Sequence, residues 1–312
     1  MNCSSREEPK MSLKLRPLCD SFGAEVLDID LSKPLDNETF SEIENAFDST
    51  SLLLFRGQTL SEDDHVALSR RFGPLQAHVL KPYLSNTHPD LLVLSNIKDK
   101  GQAAGIGDAG QIWHSDTSYT ETPCRCSLLL GREIPEPDGD RTFGDTIFRS
   151  ACAAFDALPA DRQAQLEKLT APHSYIHYYK RKQAEGSARP DLTSEQVKEV
   201  PPVDHPVVMK HPITGRKAIY VNPGYTMKIN ELPESESQSL LAELFDYLNE
   251  PRFVYRHKWR PGDLIIWDNY ATQHLAVGDY ALPQRRLMHR TTVLLGEDAR
   301  RRLTESRQRQ AA

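Results

Sequence analysis

The sequence predicts a mixed α+β, mainly β chain: a sheet-rich core buttressed by helices. Three observations carry this. Short apolar runs recur at Leu52-Leu-Leu-Phe55, Leu91-Leu-Val-Leu94 and Ser127-Leu-Leu-Leu130, with the length and composition of buried strands. Helix-start signals cluster in the first quarter of the chain. Later, turn signals sit between short runs rich in aromatic and β-branched residues, as in paired strands.

Taken in order, residues 1–11 read as a loose leader. Asp36-Asn37 offers an N-cap for a helix over 38–47, since a short side-chain oxygen can accept from the first unpaired amides. Ser61-Glu-Asp-Asp64 has capping-box spacing, and Gly73 closes the helix it opens. Residues 151–158 and 161–169 read as helices broken at Pro159, which lacks the amide hydrogen that a helix interior needs. Residues 183–206 are polar and proline-rich, and are expected to form a long excursion, either a lid or a plain surface connection. Pro212-Ile-Thr-Gly215 joins 207–211 to 216–221 as a hairpin, and residues 237–248 have the spacing of an amphipathic helix. Arg260-Pro-Gly-Asp263 is expected to join 253–259 to 264–267 as a second tight hairpin. No internal repeat is evident. A single domain over 12–297 followed by an arginine-rich tail over 298–312 accounts for the pattern, the tail being a solvated helix end or disordered.

Bulk properties narrow the function. A chain of 312 residues with a net charge of −6 lacks the basic stripe of a dedicated nucleic-acid binder. Five cysteines (Cys3, Cys19, Cys124, Cys126, Cys152) are an odd number without zinc-type spacing, which suits reduced thiols in the cytoplasm. The N-terminus has no apolar stretch of the signal-peptide kind, and no run approaches the roughly 20 apolar residues that span a bilayer.

The most informative stretch is Gln111-Ile-Trp-His-Ser-Asp-Thr-Ser-Tyr119. In an extended strand, side chains at i and i+2 share a face, so His114 and Asp116 would converge on one point. A distant histidine added to such a pair makes a 2-His-1-carboxylate triad, which leaves positions open on an octahedral metal. His274 is the natural third ligand. The competing local reading is a surface histidine beside a hydrogen-bonded aspartate. His173 and His177, four residues apart, lack the glutamate and third ligand of a zinc protease site.

Beyond His274 come Arg286 and Arg290. On a strand these would share one face with Met288 and Thr292, while Leu287, His289 and Thr291 take the other. Two guanidiniums roughly 13 Å apart at about 3.3 Å per residue would need two anionic partners if they face inward. The alternative turns both to solvent and Leu287 inward.

Together with Phe55-Arg-Gly-Gln, Arg71-Phe-Gly-Pro-Leu75, Trp113-His-Ser-Asp116, Gly144-Asp-Thr146, Phe253-Val-Tyr-Arg-His257, Pro261-Gly-Asp263, Trp267-Asp-Asn269 and Gln284-Arg-Arg-Leu-Met-His-Arg290, the chain resembles the Fe(II)/2-oxoglutarate-dependent dioxygenases of the taurine and 2,4-dichlorophenoxyacetate dioxygenase family. The blocks occur in the family's order across roughly residues 12 to 297, and it is their number and order that make the match specific. The resemblance implies a distorted jelly roll, the double-stranded β-helix, and a homo-oligomer. It implies His114, Asp116 and His274 as Fe(II) ligands, with 2-oxoglutarate and O₂ as cosubstrates. Arg286 matches the arginine that pairs with the distal carboxylate of 2-oxoglutarate, and Thr146 the threonine beside it. His78 and Arg290 match positions that hold an anionic substrate.

The chain departs from the pattern in places. The usual Gly-Gly-Asp-Thr is Phe143-Gly-Asp-Thr146, and an insertion around Asp138-Gly-Asp-Arg141 leaves Thr142 as a rival to Thr146. Gly110-Gln-Ile precedes Trp113, and Leu275 stands where an aromatic residue is common, both of which point away from taurine itself. The implied reaction couples oxidative decarboxylation of 2-oxoglutarate, giving succinate and CO₂, to hydroxylation, desaturation or bond cleavage of a small anionic compound, with no nucleic acid or membrane partner. Two other readings compete: a non-catalytic jelly-roll protein that binds a small anion, and a zinc hydrolase on the same fold.

Overall fold

A computed structural model describes residues 13–76, 81–99, 102–185 and 191–311. The strands of the two principal sheets, in chain order, are β1 (Lys14–Pro17), β2 (Ala24–Leu27), β3 (Leu52–Phe55), β4 (Leu91–Ser95), β5 (Cys126–Glu133), β6 (Thr146–Ser150), β7 (Val254–His257), β8 (Leu264–Asp268), β9 (Thr272–Ala276) and β10 (Leu287–Val293). The larger sheet runs β1-β2-β3-β8-β5-β10-β4, and the smaller runs β7-β6-β9. Only β2 and β3 pair in parallel; the other pairings in these sheets are antiparallel.

The apolar runs are buried on both faces because the larger sheet is covered on both sides. Leu53 and Phe55, Leu128 and Leu130, Leu264 and Ile266 pack outward against Phe40, Ile43 and Phe47 of α1 (Asn37–Thr50) and Phe72 of α2 (Glu62–Phe72). The alternate residues Leu52 and Leu54, Leu129, Ile265 and Trp267 point inward and meet Phe148 of the smaller sheet. This period-2 split of a continuous apolar run is what a strand between two layers requires. Both helices start where the caps predict: Asp36 accepts from the Thr39 amide, and Ser61 and Asp64 form a reciprocal capping box.

The helices between the two halves of the sheet sequence are α3 (Ala151–Asp156), α4 (Ala160–Leu166), α5 (Tyr175–Ala184), α6 (Ser194–Glu199) and α7 (Glu234–Leu248). Leu240, Leu241, Leu244 and Leu248 of α7 pack on Cys152 and Phe155 of α3 and on the strands Val208–Lys210 and Lys217–Ile219, the hairpin expected around Gly215.

Two expectations change. The segment 253–267 is not a hairpin: β7 pairs with β6, whereas β8 pairs with β3 and β5. Pro261-Gly-Asp263 turns the chain from one sheet to the other. Buried Asp263 holds that corner, accepting from Arg56 Nη1 at 2.6 Å, His257 Nε2 at 3.0 Å and the Arg260 amide at 2.9 Å. The excursion at 183–206 also carries structure of its own: the end of α5, then α6 opened by a Thr193/Gln196 capping box, then the strand Val203–Pro206. Finally, α8 (Glu297–Ala311) follows β10. It buries Ala299 and Leu303, and Arg307 donates to the carbonyls of Glu121 and Asp204. No helix among the described residues is long and apolar enough to cross a membrane.

Candidate active site

His274 lies on β9, and His114 joins that strand through an isolated antiparallel bridge: each histidine's amide donates to the other's carbonyl, at 2.9 and 3.1 Å. The expected strand through 114–116 goes no further. Asp116 opens a turn, and Thr117 adopts φ 55°, a left-handed conformation rarely taken by a β-branched residue. The side chains converge all the same. Asp116 Oδ1 lies 3.6 Å from His114 Nε2, and Asp116 Oδ2 lies 3.9 Å from His274 Nε2. One ligand atom from each residue falls within 4.8 Å of the others, and all three residues are buried.

The cluster suits a divalent metal. His114 Nδ1 sits 2.7 Å from the Ile112 carbonyl, which fixes its proton there and leaves the Nε2 lone pair toward Asp116. Burial, reinforced by His114, pushes the His274 imidazole well below its ordinary pKa, so it is neutral. Burial alone would raise the Asp116 carboxyl. The Arg290 guanidinium beside it leads the interactions that outweigh burial and hold it well below the usual carboxylate range. Two neutral imidazoles and one carboxylate form the donor set of a non-haem iron site. Gly110, at φ +73°, lets the backbone approach this site: a Cβ there would come within 3.2 Å of His114 Cε1.

Two residues not foreseen as part of the site hold Asp116. Ser127 on β5 donates to Asp116 Oδ2 at 2.7 Å, and Asn269 Oδ1 accepts from the Asp116 amide at 3.2 Å. The Asn269 amide also donates to Ser127 Oγ at 3.2 Å, which closes the network. Asn269 stands in the Trp267-Asp-Asn269 block, so the signal was present without its meaning.

The register of β10 slips between Leu287 and Met288, and Arg286 lies just before the strand. Arg286 and Arg290 nonetheless line one pocket with His114, His274, Thr146 and Tyr280, while Thr291 on the other face bonds to His65 and Ser69 of α2. Arg286 is 6% exposed, and its Nε has no hydrogen-bond partner. Burial lowers its pKa, opposed by Tyr280, whose ring centroid lies 5.6 Å from the guanidinium carbon, and by Asp145. A buried guanidinium with an orphaned donor fits an incoming carboxylate. Thr146 Oγ1 accepts from Trp259 Nε1 at 2.9 Å, which leaves its own hydroxyl hydrogen to offer. Thr142 is absent from the pocket lining and donates instead to Asp145 Oδ2 at 3.0 Å. Gly144 is required by the packing: at φ +66°, a Cβ would stand 3.0 Å from Arg286 Cδ and Nε. The partner of Arg290 differs from expectation. Its Nη1 donates to Asp116 Oδ1 at 3.1 Å rather than facing only a separate anion. His78 lies outside the described residues.

Comparison with known proteins places the chain in a family. The model of the family described as taurine catabolism dioxygenase TauD, TfdA family matches residues 14–292. An alpha-ketoglutarate-dependent 2,4-dichlorophenoxyacetate dioxygenase of Cupriavidus pinatubonensis is 37% identical over 297 residues, covering 91% of this chain and 98% of that protein. An alkylsulfatase of Acinetobacter baylyi is 31% identical over 300 residues, covering 93% and 87%. The crystal structure of a taurine dioxygenase from Burkholderia xenovorans superposes with a TM-score of 0.75 at 28% identity, covering 93% of each chain. With a family model spanning almost the whole chain and a relative 37% identical over 91% of it, this chain belongs to the TauD/TfdA dioxygenase family.

Proposed function

We propose that this protein is an Fe(II)- and 2-oxoglutarate-dependent dioxygenase that oxidises a small anionic organic compound, a sulfonate, sulfate ester or carboxylate. The observation that carries the reading is the pairing of the His114–Asp116–His274 cluster with a buried, partly orphaned Arg286 in one pocket. The first suits the metal, the second the far carboxylate of the cosubstrate. Family membership and relatives acting on an aryloxyacetate and an alkyl sulfate support the substrate class.

Iron, when bound, would supply redox chemistry with O₂ as the oxidant and 2-oxoglutarate as the co-reductant: one oxygen atom would enter the substrate and the other succinate, with CO₂ released. The protein's part is placement. His114, Asp116 and His274 hold the metal, with Ser127 and Asn269 fixing Asp116. Arg286 binds the distal carboxylate in fork geometry, Thr146 adds a hydroxyl donor, and Gly144 leaves room for both. Arg290 carries the positive charge that holds the substrate's anionic group close to the metal, with His78 in the same role. Hydroxylation is the primary outcome, with desaturation or bond cleavage as variants of the same chemistry. The two facing sheets are read as the distorted jelly roll of the family, and the protein as a cytoplasmic homo-oligomer.

The test is succinate release from 2-oxoglutarate with Fe(II), measured across a panel of sulfonates, alkyl sulfates, aryloxyalkanoates and amino-acid derivatives. Stimulation by at least one compound is expected. Turnover that ignores 2-oxoglutarate would point to a hydrolase, and binding of an anion without succinate release to a non-catalytic binder.

A further inference from the structure

Arg149, on β6, is fully buried, and its described partners are all neutral. Its Nε and Nη2 donate to Gln273 Oε1 at 3.1 and 2.6 Å. Its Nη1 donates to Asn249 Oδ1 at 2.7 Å and, at longer range, to the Phe245 carbonyl at 3.4 Å, both at the end of α7. Its guanidinium carbon sits 4.4 Å from the centre of the Trp113 ring. Gln273 in turn donates through Nε2 to the carbonyls of Val221 and Ile219, at 2.9 and 3.3 Å. Burial pushes the Arg149 pKa down to about 9, so the group stays charged near neutrality.

The residues it touches are the immediate predecessors of two metal-ligand candidates. Trp113 precedes His114, Gln273 precedes His274, and the two histidines are joined backbone to backbone. Neighbours along an extended strand point to opposite faces, so Gln273 faces Arg149 while His274 faces Asp116. One guanidinium therefore grips the back of both segments that present the imidazoles. An apolar side chain of similar volume would fill this space without desolvating a charge, and such replacements are often neutral or stabilising. What the guanidinium adds is a rigid plane of directed donors with a cationic face for the indole.

We propose that Arg149 is a positioning residue for the metal centre: it fixes the spacing and tilt of His114 and His274 by clamping Trp113 and Gln273 to the end of α7. The proposal rests on the metal-ligand reading of the two histidines.

The experiment is a Co(II) titration of the purified, metal-stripped full chain, followed by ligand-field absorption, which reports both affinity and ligand geometry. Arg149→Met is expected to weaken Co(II) binding by about tenfold, the lower end of what supporting residues around a metal usually contribute, and to change the absorption envelope. Leu244→Ala, a core truncation in α7 that leaves the clamp intact, is expected to lower the melting temperature but keep the wild-type affinity and spectrum. Wild-type affinity and spectrum in Arg149→Met would overturn the proposal, as would an equal loss in Leu244→Ala. Should Arg149→Met fail to fold, Asn249→Ala reads the clamp from its exposed end. A smaller loss in the same direction is expected there, and unchanged affinity overturns the clamp. The underlying ligand reading fails differently, taking the clamp with it: the wild type then binds no Co(II), or His274→Ala binds it as tightly as the wild type.

Discussion

Arg290 Nη1 lies 3.1 Å from Asp116 Oδ1, the same carboxylate oxygen that faces His114 Nε2 at 3.6 Å. A guanidinium is thus ion-paired to a metal-ligand candidate while its own buried Nε has no partner. On the proposed function, a substrate anion that met this spare donor would lie beside the metal-ligand candidates and be neutralised there.

Truncating that side chain should therefore act on the primary substrate. Charge-assisted hydrogen bonds contribute about 1.5–3 kcal/mol, roughly ten- to a hundredfold in affinity. Arg290→Ala should weaken an anionic substrate by about that factor while leaving the 2-oxoglutarate KM nearly unchanged. Succinate should also form in excess of product, because the target carbon is no longer held in place. Tight coupling with unchanged substrate affinity would remove the anionic-substrate assignment and leave the dioxygenase intact.

Arg286 should govern the cosubstrate instead. Arg286→Lys keeps the charge but loses the fork, so the KM for 2-oxoglutarate should rise by about tenfold or more. Arg285→Lys should change little, because Arg285 is engaged at the surface with Glu133 at 2.7 Å. Gly144→Ala approaches the same site from the other side, since the added methyl would displace Arg286 and the backbone is left-handed there. It should raise the KM in the same direction. A larger effect at Arg285 than at Arg286 would mean that the register before β10 is wrong.

Acid should destabilise the fold through its buried histidines. Burial lowers both His65 and His173 to about 3, against about 6.5 in an unfolded chain. Between those values the unfolded chain takes up protons that the folded one refuses. Stability is therefore full above about pH 6.5 and falls by about 1.4 kcal/mol per pH unit for each group on acidification toward pH 3. Urea midpoints should drop steadily between about pH 6.5 and pH 5, and His65→Asn should flatten that slope. A midpoint constant over this range would contradict the burial argument.

Much of this was legible in the residues because it is local. Leu52-Leu-Leu-Phe55 announces a strand covered on both faces, and Ser61 with Asp64 announces a helix start. The parity of Arg286, Met288 and Arg290 survived a register slip because the extra residue, Arg132, lies on β5, and β10 itself pairs with β4 without a break. What failed was long-range. Pro261-Gly-Asp263 has the chemistry of a tight turn, but nothing local says that the strands on either side join different sheets. The Thr193/Gln196 capping box is a local helix-start signal, but the prolines around it carry the stronger signal of an irregular segment. Arg149 could not be found from sequence, because its partners Trp113, Asn249 and Gln273 meet only in the folded chain.

The central claim is that His114, Asp116 and His274 hold an iron that consumes 2-oxoglutarate. Its most direct test is anaerobic Fe(II) binding by the wild type and His274→Ala, each then exposed to O₂ with 2-oxoglutarate and the best compound from the panel, with succinate quantified. The wild type should bind one Fe(II) per chain and release succinate only when iron, O₂ and 2-oxoglutarate are all present; His274→Ala should lose both properties while keeping its fold. Wild-type iron occupancy and succinate release in His274→Ala would contradict the account.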